Sequence, residues 1–268
     1  MVEIQIGQGA SGGLGHRKDY TKIPPKARRL LKLKNGQPVV TYARLPELAG
    51  QEKNLAPLVN RTRKITGGVP VGAKIAAGQD LEKDLEILLA GEVDFIALDG
   101  AGAGTWGSLP IIQDHFGLST IYAVNRAAAF LQKKGVKGRV SLIAGGGLAT
   151  PGDFLKVLAL GADAVYIGTV ALFALTHTQT LKALPWEPPV EMVFAQGKKE
   201  KRLNVEQASR HLANFLLSCN EEIKEGIRAL GKTSLKQLSK DDLAALYPDL
   251  AQALELPLAA RPPLEETR

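Results

Sequence analysis

The sequence predicts a parallel α/β fold, a (β/α)8 barrel carried through about six of its eight units and followed by a helical extension. Three observations lead there. Short apolar runs near residues 3, 39, 71, 95, 140 and 165 alternate with helical patterns. Glycine-rich loops follow these runs at their carboxyl ends, where parallel α/β folds hold ligands. The loops recur on successive strands instead of gathering at one reversal of strand order, which favours a barrel over an open doubly wound sheet.

The first strand starts at Glu3 and breaks into GQGASGGLGH, a loop rich enough in glycine to lie against a ligand. Residues 17–34 are strongly basic, with Pro24 and Pro25 before a short amphipathic helix, and read as a solvated face. Residues 38–42 make the second strand, and Leu55, Leu58, Val59 and Ile65 mark the helix after it. In the third, VPVGAKIAAG, Lys74 stands among buried residue types, so its ammonium needs a counter-charge, a carbonyl or a ligand. Helix 80–90 leads to the fourth strand, EVDFIALDG, which ends at Asp99 and runs into Gly100, Gly102, Gly104, Thr105 and Gly107.

Helix 122–134 precedes the stretch around which the rest is organised, VSLIAGGGLATPGDFLKVLALGADAVYIGT. Residues 140–144 are a buried strand, and Gly145, Gly146 and Gly147 follow at once. Thr150 sits where an N-cap belongs and Pro151 at the first helical position. Phe154, Val157, Leu158 and Leu160 recur at helical spacing, Gly161 closes the helix, and residues 164–167 form the sixth strand, ending at Gly168 and Thr169. Without Cβ atoms the backbone N–H groups of such loops approach a phosphate closely, and a helix N-terminus adds partial positive charge. The unit is therefore a candidate phosphate cradle, although glycines that merely make the turn fit the tripeptide equally well.

The division expected is a barrel portion over residues 1–180 and a linker with a helical extension over residues 181–268. In the extension Leu212, Phe215, Leu216 and Ile223 share one face of a helix over 205–230, and a further amphipathic helical stretch follows it. Asp241 and Asp242 read there as first-turn acids beside an N-cap, not as a catalytic pair, and His211 as structural.

Composition narrows the function. With a single cysteine, Cys219, on an apolar helical face, neither an internal disulfide nor an all-cysteine metal or iron-sulfur site can form, and a buried structural thiol is expected. No metal site is expected. The N-terminus lacks a secretory pattern and no apolar run approaches the roughly 20 residues of a membrane span, so a cytoplasmic protein is the expectation. The net charge of +7 is scattered, with few interleaved aromatics and no recognition motif, which argues against nucleic acid. Basic loops instead suit an anionic cofactor, an acidic substrate or a partner's acidic surface.

Taken in order, IQIGQGASGGLG, PVGAKIAAG, DFIALDGAGAGTWGSLP, RVSLIAGGGLATPGDFLKVLALGADAVYIGTVAL and ALGKTSLKQLSKDDLAAL resemble the FMN-binding domain of glutamate synthase and its shorter stand-alone relatives. The resemblance implies a TIM barrel of which this chain is similar to the third through eighth units. It implies that Gly145, Gly146, Gly147, Gly168 and Thr169 hold the FMN phosphate, with Gly100, Gly104 and Thr105 in the loop of the sixth barrel strand. Lys74 matches the lysine near the flavin pyrimidine edge and Gln8 the glutamine beside flavin and substrate. Two lysines that suit the carboxylates of 2-oxoglutarate in that family are replaced by Gln5 and Ser11, which weakens the expectation of a dicarboxylate. The cysteines for an iron-sulfur cluster are replaced by ALTHTQTLKALPW.

The expected activity is FMN-dependent oxidation or reduction at the CH–NH2 group of an amino acid or its imine. Partners implied are an amino-acid or 2-oxo-acid substrate, an electron-donor protein or subunit, and a polypeptide supplying the missing barrel units. Two alternatives stand beside it: a non-redox barrel binding a phosphorylated metabolite through Asp99 and Lys74, and a catalytically silent component of a split barrel.

Overall fold

Five apolar runs become parallel strands; the three central ones are buried almost throughout, and the polar backbone of such a run must pair with its neighbours. The computed structural model describes residues 1–9, 17–40, 54–104, 109–180, 189–193 and 197–259. The strands are β1 (Val2–Gln5), β2 (Arg17–Lys18), β3 (Val39–Val40), β4 (Val71–Ala76), β5 (Phe95–Asp99), β6 (Ser141–Gly145) and β7 (Ala164–Tyr166). The helices are α1 (Pro25–Leu30), α2 (Ala56–Thr66), α3 (Leu81–Ala90), α4 (Pro110–His115), α5 (Thr120–Lys133), α6 (Pro151–Ala159), α7 (Thr169–Thr176), α8 (Val190–Val193), α9 (Val205–Ala229) and α10 (Pro248–Leu254).

The sheet runs β1-β4-β5-β6-β7, all pairs parallel. Neighbours follow chain order without a reversal, the order of a (β/α) barrel wall. Among the described residues the row does not close, and β1 and β7 are its edges.

One of the six expected strands lies elsewhere. Val39–Val40 pairs antiparallel with Arg17–Lys18 in a separate two-stranded ribbon. Its two residues are too few to be buried on both faces of a sheet, and β1 pairs directly with β4, Val2 opposite Val71, leaving no place between them.

Side chains alternate across each strand. One face (Ala73, Ile75, Ile96, Leu98, Leu142, Ala144) meets the helices through Leu81, Leu85, Leu88, Val124, Leu131 and Val157 in the main core. The opposite face carries a small cluster, Phe95, Ala97 and Ile143 with Tyr166 against it, and the polar residues described below.

Local signals hold at β6–α6. Thr150 accepts from the Asp153 N–H and the Asp153 carboxylate from the Thr150 N–H, a capping box with Pro151 at the first position. Gly161 follows the helix at φ +111°. The extension folds onto the same body: α9 packs on α6 and α7 and buries Cys219 in the main core. Burial raises the Cys219 thiol pKa, with the Glu222 charge adding to it, as suits an inert structural cysteine. Beyond α9 the expected amphipathic helix is instead two single 3₁₀ turns, Leu235–Gln237 and Lys240–Asp242, before α10. Ser239 and Asp242 form a capping box and Asp242 pairs with Lys232, which accounts for the acidic pair without catalysis.

Candidate functional site

Parallel register sets the site. Ala76, Asp99, Gly145 and Tyr166 stand level at the carboxyl ends of β4 to β7, each opposite the next. Above that row opens a cavity of about 590 Å³, in the range of sites for cofactor-sized ligands. Gln8, Lys74, Gly104, Gly145, Gly146, Gly147, Gly168 and Thr169 all line it, so the structure gathers eight sequence-selected residues from four loops, two strands and the start of α7. Thr105 lies outside the described residues.

The glycines divide into two kinds. Gly9, Gly100 and Gly146 let three loops touch: a Cβ on Gly9 would overlap the Gly100 carbonyl, and one on Gly100 would overlap Thr120. A Cβ on Gly146 would come within 2.9 Å of the Gly100 oxygen. The Gly100 N–H donates to the Gly145 carbonyl at 2.9 Å and Thr120 Oγ1 to the Gly146 carbonyl at 2.6 Å, lacing the loops together. Gly100 therefore stands behind the cavity wall, outside the lining. Gly147, at φ +70°, and Gly168, which precedes the first residue of α7, would each project a Cβ into empty space. Those two leave backbone open toward a ligand, beside the α7 N-terminus.

Below the loops, on the face away from the helices, four ionisable side chains meet. Lys74 Nζ lies 3.8 Å from Asp99 Oδ2 and 3.9 Å from Glu3 Oε1, and 5.4 Å from the centre of the Tyr166 ring. Asp99 Oδ2 and Glu3 Oε2 are buried without a hydrogen-bond partner. Burial pushes the Asp99 carboxyl up to about 6, further raised by the Glu3 charge and opposed by Lys74 and the Gly9 N–H. Burial likewise raises Tyr166, with the Glu3 and Asp99 charges behind it. Gly145 has no side chain where Asp99 lies: its Cβ would be 2.7 Å from Asp99 Oδ1.

Sequence reasoning found Lys74 and Asp99 but missed Glu3 and Tyr166. The signal was period-two alternation: Glu3 shares its face with Gln5, which is level with Lys74, and Tyr166 stands two residues before Gly168. Gln5 Nε2 donates weakly to Gln8 Oε1 at 3.4 Å. Among the described residues no group of three His, Cys, Asp or Glu side chains is placed to hold a metal, and no helix is long and apolar enough to cross a membrane.

The raised Asp99 pKa predicts a pH dependence of stability. The folded chain holds this proton up to about pH 6, whereas an unfolded Asp releases it near 4. Between those values the native state binds the extra proton, so this contribution falls as pH rises from about 4 to about 6 and stays low above. Relative to Asp99→Asn, wild type is expected to lose up to about 3 kcal/mol over that window, measured by denaturant unfolding at stepped pH. Parallel curves for the two proteins would refute the assignment.

Residues 1–233 match the family described as a conserved region in glutamate synthase. The archaeal-type glutamate synthase (NADPH) of Thermotoga neapolitana is 31% identical over 242 residues, covering 88% of this chain and 47% of that protein. The archaeal glutamate synthase (NADPH) of Methanocaldococcus jannaschii is 30% identical, covering 88% and 46%. A glutamate synthase large subunit-like protein of Rhizobium meliloti is 29% identical, covering 96% and 62%. The chain spans about half the length of the first of these curated relatives. Among solved structures, the recombinant flavin-binding domain of baker's yeast flavocytochrome b2 superposes with a TM-score of 0.43 at 22% identity, over 76% of this chain and 40% of that one.

Proposed function

The chain belongs to the family of the conserved region in glutamate synthase, and on that premise we propose that it is an FMN-dependent oxidoreductase component acting on the CH–NH2 group of an amino acid or on the corresponding imine. The observation that carries the reading is the cavity at the strand ends, with glycine backbone open at Gly147 and Gly168 and one lysine in its wall. These residues fit the cofactor. The N–H groups of the Gly145 to Gly147 loop and of Gly168 and Thr169 would hold its phosphate, and the Thr169 hydroxyl would add a donor. Lys74 would place positive charge beside the ring system, and Gln8, on the cavity wall, would orient substrate. When bound, FMN supplies hydride transfer to or from carbon.

Substrate selection follows from the first strand. Gln5 is neutral and offers no cation to a second carboxylate, so an amino acid or 2-oxo acid fits better than a dicarboxylate held by paired lysines. Electrons would pass to or from a donor protein or subunit, as the resemblance to glutamate synthase implies.

Titration of the full chain with FMN tests the reading. Quenching of flavin fluorescence with saturable, one-to-one stoichiometry is expected; protein that leaves FMN fluorescence unchanged would remove the oxidoreductase reading. Among the described residues β1 and β7 are the sheet's edges, which favours an added element: further βα units from another polypeptide segment would complete the wall. Co-expression with the polypeptide encoded immediately upstream should then tighten FMN binding, and no effect on affinity would argue against such a complement.

A further inference from the structure

Beneath the cavity, two carboxylates converge on one ammonium with gaps wider than a hydrogen bond between them. Lys74 Nζ stands 3.8 Å from Asp99 Oδ2 and 3.9 Å from Glu3 Oε1. Asp99 Oδ2 has no hydrogen-bond partner, and the side chain is only 4% exposed. An unpartnered buried acceptor costs the fold stability, and Asp99 bears that cost on the wall of the cavity. Counting charge, Glu3 and Asp99 against Lys74 leave one negative charge over. Tyr166, kept protonated by burial and by those same carboxylates, is a donor and adds no charge.

From β6 nothing ionisable joins the group, because the residue facing Asp99 there is Gly145. Among the described residues the ionisable set around Asp99 is thus Glu3 from β1, Lys74 from β4 and Tyr166 from β7. Such a floor repels a further carboxylate and accepts a cation or a strong hydrogen-bond donor.

We propose that this floor receives the amino group of the substrate and that Asp99 is the acid-base group that takes a proton from it and returns one to it. The proposal rests on the oxidoreductase reading above and deepens it by assigning the amine's place. In the oxidative direction the substrate arrives as R–CH(NH3⁺)–COO⁻. One N–H bond breaks, an O–H bond forms on Asp99 Oδ2, and the electron pair stays on nitrogen as the lone pair. That lone pair is what allows the adjacent carbon to give up its hydride to the bound flavin, the oxidant of the reading above. In the reductive direction Asp99 hands the proton back to the amine. Burial raises the Asp99 carboxyl to about 6, so near neutral pH it is ionised yet basic enough to accept a proton. Lys74 opposes the rise that burial causes, and the Glu3 charge adds a smaller push upward. Glu3 and Lys74 are in this sense positioning residues.

The test is carbon-13 NMR of full-length chain labelled at the aspartate side-chain carboxyls, with and without FMN. The resonance missing from Asp99→Asn identifies the group. It is expected to titrate with a midpoint near 6, to move saturably with methylammonium, and not to move with acetate. Glu3→Gln should lower the midpoint by removing the like charge, while thermal melting confirms that both variants fold. A midpoint in the ordinary carboxylate range overturns the proposal. So does an equal response to acetate, or no response to methylammonium up to about 100 mM. With FMN loaded, Asp99→Asn should retain flavin affinity and lose about 100-fold or more in turnover across a panel of amino acids. Chain that binds no FMN refutes the oxidoreductase reading, while titration and the methylammonium response still decide the role of Asp99.

Discussion

Gly168→Asp should abolish FMN binding while leaving the chain folded. Gly168 precedes the first residue of α7, at φ −124°, outside the left-handed region, and a Cβ there meets no atom within 4 Å. The added Cβ therefore displaces no neighbouring atom, at a position on the cavity wall. At ψ −84° the residue is not in the extended conformation of a capping aspartate, so the change is not expected to strengthen the helix start. The new carboxylate comes to lie where the proposed phosphate would sit. Two like charges about 4 Å apart cost about 4 kcal/mol at an effective dielectric constant of 20, close to a thousandfold in affinity. Gly168→Ala, which adds a methyl group and no charge, should lower affinity only a few-fold. Fluorescence titration and thermal melting of the three proteins separate the outcomes. Gly168→Asp protein that still binds FMN with native affinity would place the phosphate away from α7.

How far the sequence carried the fold can be seen at individual residues. Thr150, Pro151 and Gly161 mark α6 correctly because capping is local: each signal depends only on backbone within a turn of it. The ends of β4 to β7 were legible for a related reason, since an apolar run that stops at Asp99 or at Gly145 has little freedom to continue. Val39–Val40 was misjudged because periodicity shows that a strand exists and says nothing of which neighbour it finds. The Glu3 to Tyr166 cluster was hidden for the same reason, its members coming from four strands brought level only by parallel register. Nor did the glycine tripeptide disclose that its members do different things. Gly145 makes room for Asp99, Gly146 for the neighbouring loop, and Gly147 alone opens outward.

That division of labour leads to the second large effect expected, on stability. Gly100→Ala should destabilise the chain by about 3 kcal/mol, the upper part of the usual range for overpacking. The added methyl would overlap Oγ1 of Thr120 and lie 2.6 Å from its Cα and N, all within the first turn of α5. Flexible side chains yield to such a contact, whereas the backbone of a fourteen-residue helix packed on α3 does not. Retreat in the other direction is blocked as well, because the Gly100 N–H is bonded to the Gly145 carbonyl and its own carbonyl lies where a Gly9 Cβ would be. The lost stability should appear as a drop in melting temperature of roughly 6–12 °C. Gly147→Ala is the matched control: its Cβ meets nothing within 4 Å, so the cost is confined to placing alanine at positive φ, about 1–2 kcal/mol. Melting curves that rank the two variants in the opposite order would show that the three loops are not held by glycine contact, and that the cavity they frame owes its shape to something else.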